Sequence, residues 1–212
     1  GRVVVIFQPA EENEAGGRVM VEDGLFEQFP VDSVFGLHNW PGVRAGSLAL
    51  RSGPMMAASV MFEIELEGQG SHAAMPHLGV DCMVVAAHLV TALQSIASRT
   101  VDPVDSCVVS VTQIHGGDTT NVIPSSVMLR GTTRSFHEAT QTRIESRIRE
   151  LTRGVAEAFG ARASVRYERR YPPVHNTVGE TALATRAARL TVGADRVIEN
   201  PEPSMGAEDF AY

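Results

Sequence analysis

The chain opens on GRVVVIFQPAEE, in which residues 3–7 are apolar without alternation before Gln8 and Pro9 interrupt them. A β-branched run of that kind predicts a strand covered on both faces, as in a parallel sheet. ENEAGGRVMVEDG predicts a short helix, weakened by Gly16 and Gly17 and closed by Gly24. A second apolar run, VDSVFGLH, stops at Asn39-Trp40-Pro41. Strand, helix and strand predict a βαβ crossover, which brings the carboxyl ends of both strands to one sheet edge. That edge carries Glu11, Glu12 and His38.

From about residue 59 the pattern changes to clean alternation. In VMFEIELEG, Val60, Phe62, Ile64 and Leu66 share one face and Glu63, Glu65 and Glu67 the other, the signature of a strand with one wet side. Met83, Ala86, Val90, Leu93 and Ala97 recur at helical spacing, and strands are predicted over 107–114 and 127–134. A second helix carries Ile144, Ile148, Leu151 and Val155 on one stripe, with Gly160 placed to cap its end and Ser135-Phe-His-Glu138 as a capping box. A last strand over 163–168 completes the order βαββαβ, which is ferredoxin-like. YPPVHN then breaks the chain before a helix over 179–192 and a loop containing PSMGAEDF. The fold class expected is α/β: a domain made of residues 1–52 and 171–212, interrupted by a ferredoxin-like insert over 53–170.

With 212 residues, 43% of them hydrophobic, the chain can build a real core. The balance is acidic, 25 Asp and Glu against 18 Lys and Arg, with no dense basic run, so nucleic acid is not an expected partner. A ferredoxin-like RNA binder would need exposed aromatics and a basic face, where VMFEIELEG has glutamates. Cys82 and Cys107 fit neither a disulfide framework nor a cysteine-rich zinc site, which suits a reducing, cytoplasmic setting. The apolar stretch CMVVAAHLVTAL is shorter than the ~20 residues a bilayer requires, and no membrane association is expected.

Two adjacent carboxylates at a strand end have a plain explanation in the positive end of the following helix. His38 at the neighbouring strand end alters the balance, because an acid and an imidazole converging on one crevice suit a divalent metal. Zinc asks for three or more ligands, and none is evident nearby: His175 follows Pro-Pro in a break, and Glu208-Asp209 stand in a distant loop.

FQPAEE, GLHNWPG, GSHAAMPH, NVIPSSVMLRGTTRSF, YPPVHN and PSMGAEDFAY, in that order along the whole chain, resemble the metal-dependent amidohydrolases of the aminoacylase, carboxypeptidase and succinyl-diaminopimelate desuccinylase family. Within it they are most similar to the branch of hippurate hydrolase and the N-acyl-amino-acid amidohydrolases. The resemblance implies a metallopeptidase catalytic domain interrupted by a lid that also dimerises. It implies Glu11 as general acid/base, Glu12 and His38 as metal ligands, and His72 reaching across a homodimer to stabilise the tetrahedral oxyanion. Asn121 and Arg134 would contact the substrate, and Gly206 and Glu208 would line the site. The implied cofactors are divalent ions, two per complete site, of zinc, manganese, cobalt or nickel; the implied substrate is a small N-acylated amino acid. Ser71 departs from the glycine usual at its place. The family's C-G-H-D-x-H motif would precede Gly1 and its last histidine ligand would follow Tyr212. The chain is therefore expected to be an internal segment with an incomplete ligand set, inactive alone. The alternative is a non-catalytic dimerisation or ligand-binding segment.

Overall fold

The computed structural model describes residues 1–212, apart from the side chains of Asn13 and Glu14. In chain order the elements are α1 (Glu11–Glu14), α2 (Gly16–Glu22), α3 (Leu25–Gln28), β1 (Leu48–Leu50), β2 (Gly53–Met56), β3 (Ala58–Glu67), β4 (Ser71–His72), α4 (Cys82–Leu93), β5 (Cys107–His115), β6 (Val122–Ile123), β7 (Ser126–Ser135), α5 (Glu138–Ala158), β8 (Arg162–Tyr171), β9 (Val174–Asn176), α6 (Val178–Val192) and β10 (Val197–Glu199). They form two compact units, residues 1–57 with 171–212, and residues 58–170.

The 58–170 unit follows the alternating pattern closely. Its four-stranded sheet has the order β5-β7-β3-β8, with β3 and β5 each antiparallel to β7. Val60, Phe62, Ile64 and Leu66 are all buried, while Glu65 and Glu67 face water. Against that apolar face pack Val85, Leu89 and Leu93 of α4 and Ile144 and Ile148 of α5, in one core cluster. The Asp81 carboxylate caps α4 by accepting from the Met83 and Val84 N–H groups. Counted with the turn Ile96–Thr100, the helical run Cys82–Thr100 reaches 19 residues and is long and apolar enough to cross a membrane by length and composition. That corrects the shorter span expected from the sequence, although its Val85, Leu89 and Leu93 belong to the core of this unit.

The ends of α5 show one success and one failure of local rules. Gly160 sits at φ +77°, its N–H donates to Glu157 O, and the Ala161 N–H reaches back to Ala156 O at 2.9 Å, the paired bonds of a glycine-terminated helix. The expected capping box does not form, because Ser135 is the buried last residue of β7 and His137 takes the N-cap position without a side-chain cap.

The unit of residues 1–57 and 171–212 departs further from expectation. Neither 3–7 nor 31–38 is a strand; Val3, Val5, Phe7 and Leu37 are 85%, 69%, 87% and 87% exposed. The apolar runs mark core-seeking side chains, but a strand also needs backbone partners. Among the described residues the ladders of this unit are β1 parallel to β10 and β2 antiparallel to β9. The single helix expected after Pro9 is divided into α1, α2 and α3, broken at Ala15 (φ 51°) and Gly24 (φ 86°), both left-handed. The helix expected near 179–192 is present as α6.

Two glycines give a paired stability test. A Cβ on Gly131 in β7 would meet Ser110 O at 2.2 Å and Phe62 Cζ at 2.3 Å, whereas one on Gly154 in α5 would meet nothing within 4 Å. Gly131→Ala should cost about 1–3 kcal/mol through overpacking. Gly154→Ala should add about 0.5–1 kcal/mol through helix propensity and a less flexible unfolded chain. Urea unfolding of both variants measures the opposite signs.

Candidate metal centre

Pro9 stops the apolar run, and Ala10, left-handed at φ 52°, turns the chain into α1. A non-glycine residue in that region costs about 1 kcal/mol, and here two of them, Ala10 and Ala15, bracket the short helix that carries Glu11 and Glu12. The Tyr171 hydroxyl holds the helix by donating to Glu11 O at 2.6 Å. Immediately afterwards Gly16 and Gly17 permit two close approaches. A Cβ on Gly16 would lie 1.8 Å from Pro9 O, and one on Gly17 would lie 3.2 Å from Asp209 Oδ2. The Gly17 N–H donates to that same oxygen at 2.7 Å.

Asp209 is thereby drawn into the interior, 1% exposed, and Glu208 comes with it. Ligand-capable oxygens of Glu11, Glu208 and Asp209 lie within 4.8 Å of one another. The loop judged too distant on sequence grounds is therefore part of the site, and Asp209 is a member that the sequence reading did not select. Its available signal was a second pair of adjacent acids, in PSMGAEDF, matching the pair in PAEE. Glu12, expected as a ligand, is exposed and stands outside this cluster, though near enough for its charge to act on Glu11.

His38 approaches the same acids. Its Nδ1 lies 2.7 Å from Asn39 O; a carbonyl only accepts, so Nδ1 carries the proton. In the neutral ring the lone pair is then on Nε2, which lies 3.7 Å from Glu208 Oε2. A neutral imidazole with one nitrogen bonded to a carbonyl and the other bare is the form that ligates metals. Trp40 packs edge-on to the ring at 5.3 Å. Gly206 lies beside this wall: its N–H donates to Ser204 Oγ, its carbonyl accepts from Ala57 N, and a Cβ there would come within 4.0 Å of Trp40.

Crowding governs the electrostatics. Burial first, then Asp209 and Glu12, push the Glu11 carboxyl above its ordinary range, against the opposing pull of His38 and an Asp209 backbone hydrogen bond. Burial, then the Glu11 charge, raise Glu208, and the Phe210 N–H works in the other direction. Among the described residues Asp209 Oδ1 is buried without a hydrogen-bond partner. A buried, unpaired carboxylate oxygen among like charges is an uncompensated arrangement that a cation satisfies. The donor set of carboxylates and an imidazole suits a divalent ion.

The other expected residues lie in the 58–170 unit. His72 in β4 pairs with Val122 in β6, and the adjacent Ala73 N–H donates to Asn121 O, so Asn121 is held next to the end of that short ladder. Arg134 pairs with Ser59 on one side and Val108 on the other. Its Nη1 donates to Thr132 Oγ1 and Thr133 O, and burial pulls its proton affinity down. No acidic partner for it occurs among the described residues, leaving a half-buried fork suited to a carboxylate ligand.

The model of peptidase family M20/M25/M40 matches residues 1–212. N-acetyl-L-cysteine deacetylase of Bacillus subtilis (strain 168) is 40% identical over 212 residues, 100% of this chain and 50% of the relative. N-acetyldiaminopimelate deacetylase of Leuconostoc mesenteroides is 40% identical over 214 residues, covering 99% of this chain and 55% of that one. Among solved structures, the Bacillus subtilis YXEP protein, a dinuclear metal-binding peptidase of the M20 family, superposes with a TM-score of 0.78 at 31% identity over 97% of this chain and 50% of that one. The chain spans about half the length of these relatives.

The raised carboxyls give a pH test on the metal-free chain. A carboxyl with a raised folded pKa binds its proton more tightly folded than unfolded, so stability falls as pH climbs from the ordinary value of 4.5 through the raised one. Glu208→Gln removes that loss. In EDTA its melting temperature should exceed the native one at about pH 7–8, with the gain vanishing near pH 4. Thermal melts across this range check it, and a gain independent of pH contradicts it.

Proposed function

Because the chain belongs to peptidase family M20/M25/M40, we propose that it serves the metal-dependent hydrolysis of the amide bond in small N-acyl amino acids. The observation that carries this reading is the Glu11 carboxyl, raised by burial beside Glu208 and Asp209, with the bare Nε2 of His38 at 3.7 Å from Glu208. N-acetyl amino acids come first as substrates, from the deacetylase names of the relatives; benzoyl conjugates such as hippurate fall in the same class.

In this reading His38 and Glu12 hold metal, and Asp209, with its unpartnered oxygen, and Glu208 complete the carboxylate side. A bound divalent ion, zinc, manganese, cobalt or nickel, supplies Lewis acidity and lowers the pKa of water toward about 7. Glu11 does the proton work. Its raised proton affinity lets it accept a proton from the attacking water and return it to the leaving amine nitrogen. Gly206 lines the wall next to Trp40; in the 58–170 unit, the guanidinium fork of Arg134 suits the free carboxylate of an amino acid.

We read the 58–170 unit as a ferredoxin-like lid and dimerisation domain, a reading supported by its βαββαβ order and its sheet order β5-β7-β3-β8. Its geometry favours a homodimer. Arg134 pairs with Ser59 at one end of the β3–β7 ribbon, while Glu67 and Ser126 form the other end, from which the chain continues to the His72–Val122 pair. At about 3.4 Å per residue, Ser126 and Arg134 are roughly 27 Å apart, beyond the reach of one small substrate. That separation supports a reading in which His72 of one copy and Arg134 of another serve a common site. The free thiols of Cys82 and Cys107 suit a cytoplasmic enzyme.

Glu11→Gln in the metal-loaded enzyme should lower kcat on N-acetyl amino acids by at least about 100-fold while leaving metal content unchanged. Elemental analysis alongside the assay reads both. Turnover retained by the variant removes Glu11 from the base role. A native protein that holds no metal after dialysis favours the alternative of a non-catalytic ligand-binding segment.

A further inference from the structure

The loop after His72 is tied by three backbone N–H groups, and one of them reaches the imidazole. Ala73 N donates to Asn121 O at 2.9 Å, Met75 N donates to His72 O at 2.7 Å, and Ala74 N donates to His72 Nδ1 at 3.1 Å. A backbone N–H has only a proton to offer, so Nδ1 must present its lone pair. Neutral His72 therefore carries its proton on Nε2, the reverse of His38. Asn121 is oriented in a comparable way. Its Oδ1 accepts from the Thr119 hydroxyl at 2.8 Å and its backbone carbonyl accepts from Ala73, which leaves the Nδ2 amide as its outward group. His72 lies in the β4–β6 ladder, Asn121 immediately precedes β6, and both are exposed.

We infer that the Ala74 N–H and the Thr119 hydroxyl are positioning groups that make His72 and Asn121 a lip presenting N–H donors and no acceptors. Such a lip receives an acceptor-only group, such as a carbonyl oxygen gaining negative charge. It gives neutral His72 the role of hydrogen-bond donor through Nε2 and excludes that nitrogen as a base. The identity of the bound group rests on the hydrolase reading above, whereas the orientation of the donors rests only on the two hydrogen bonds.

The experiment keeps these two apart. In the full chain labelled with 15N-histidine, long-range 1H–15N spectra at about pH 8, where histidine is neutral, report the tautomer directly, with His72→Gln assigning the signal. The expected result is protonated Nε2 and bare Nδ1 at His72; an Nδ1–H form or an even mixture overturns the inference. Ala74→Pro, which removes the N–H, should shift the His72 nitrogens toward a mixed tautomer, and an unchanged spectrum in a folded variant also overturns it. Thr119→Val should lower kcat about 10-fold with little change in KM, and Thr119→Ser should restore it. Equal kcat in the Val and Ser variants removes Thr119 from the role. If the tautomer is as stated while no N-acyl amino acid is turned over, the substrate reading fails and the positioning stands.

Discussion

The hydrogen bond from the Gly17 N–H to Asp209 Oδ2, 2.7 Å long, joins segments 192 residues apart, and the candidate metal centre exists because of it. It requires two glycines in succession. At Gly16 any side chain would collide with Pro9 O, and at Gly17 one would press on the Asp209 carboxylate. With both glycines in place, Pro9 and Asp209 close in from two sides and Glu11 is left between them. The two left-handed alanines that bracket α1 are part of the same constraint, since they re-aim the backbone where the strand-like run stops.

That pair of glycines shows what the sequence could and could not convey. Read for secondary structure, Gly16-Gly17 only weakens a helix, and the helix is indeed broken. Read for packing, it marks a close approach, but nothing local says by what. Asp209 was missed for the same reason: distance along the chain gives no measure of distance in space once a loop folds back. The alternating strand β3 was legible because period-two burial is a local property that its own neighbours satisfy. The runs over 3–7 and 31–38 were legible only in part. Their apolar side chains predict a covered strand, yet Val3, Val5, Phe7 and Leu37 are exposed and no strand forms, because a ladder depends on partners that those residues do not themselves contain.

His38 and His72 illustrate how the backbone assigns chemistry to identical side chains. A carbonyl beside Nδ1 of His38 fixes the proton there and bares Nε2; an amide beside Nδ1 of His72 does the opposite. When neutral, one ring presents a lone pair at Nε2 and the other an N–H there, with no difference in residue type. A sequence motif can place a histidine, but the tautomer comes from the backbone of the one or two residues that follow it.

The acids of the site carry a related lesson about stability and function. Packing Glu11, Glu208 and Asp209 within 4.8 Å works against folding of the metal-free chain, because burial and the neighbouring charges raise the proton affinity of Glu11 and Glu208, and among the described residues Asp209 Oδ1 has no donor to offset its burial. A purely structural loop would gain from replacing Glu11 or Glu208 by an amide. The arrangement makes physical sense when something positive occupies the space between them: a proton at low pH, or a divalent ion at higher pH. Competition between those two occupants ties metal affinity to proton release, and Glu11, the member next to the bracketing alanines, is one of the two carboxyls whose proton affinity the crowding raises.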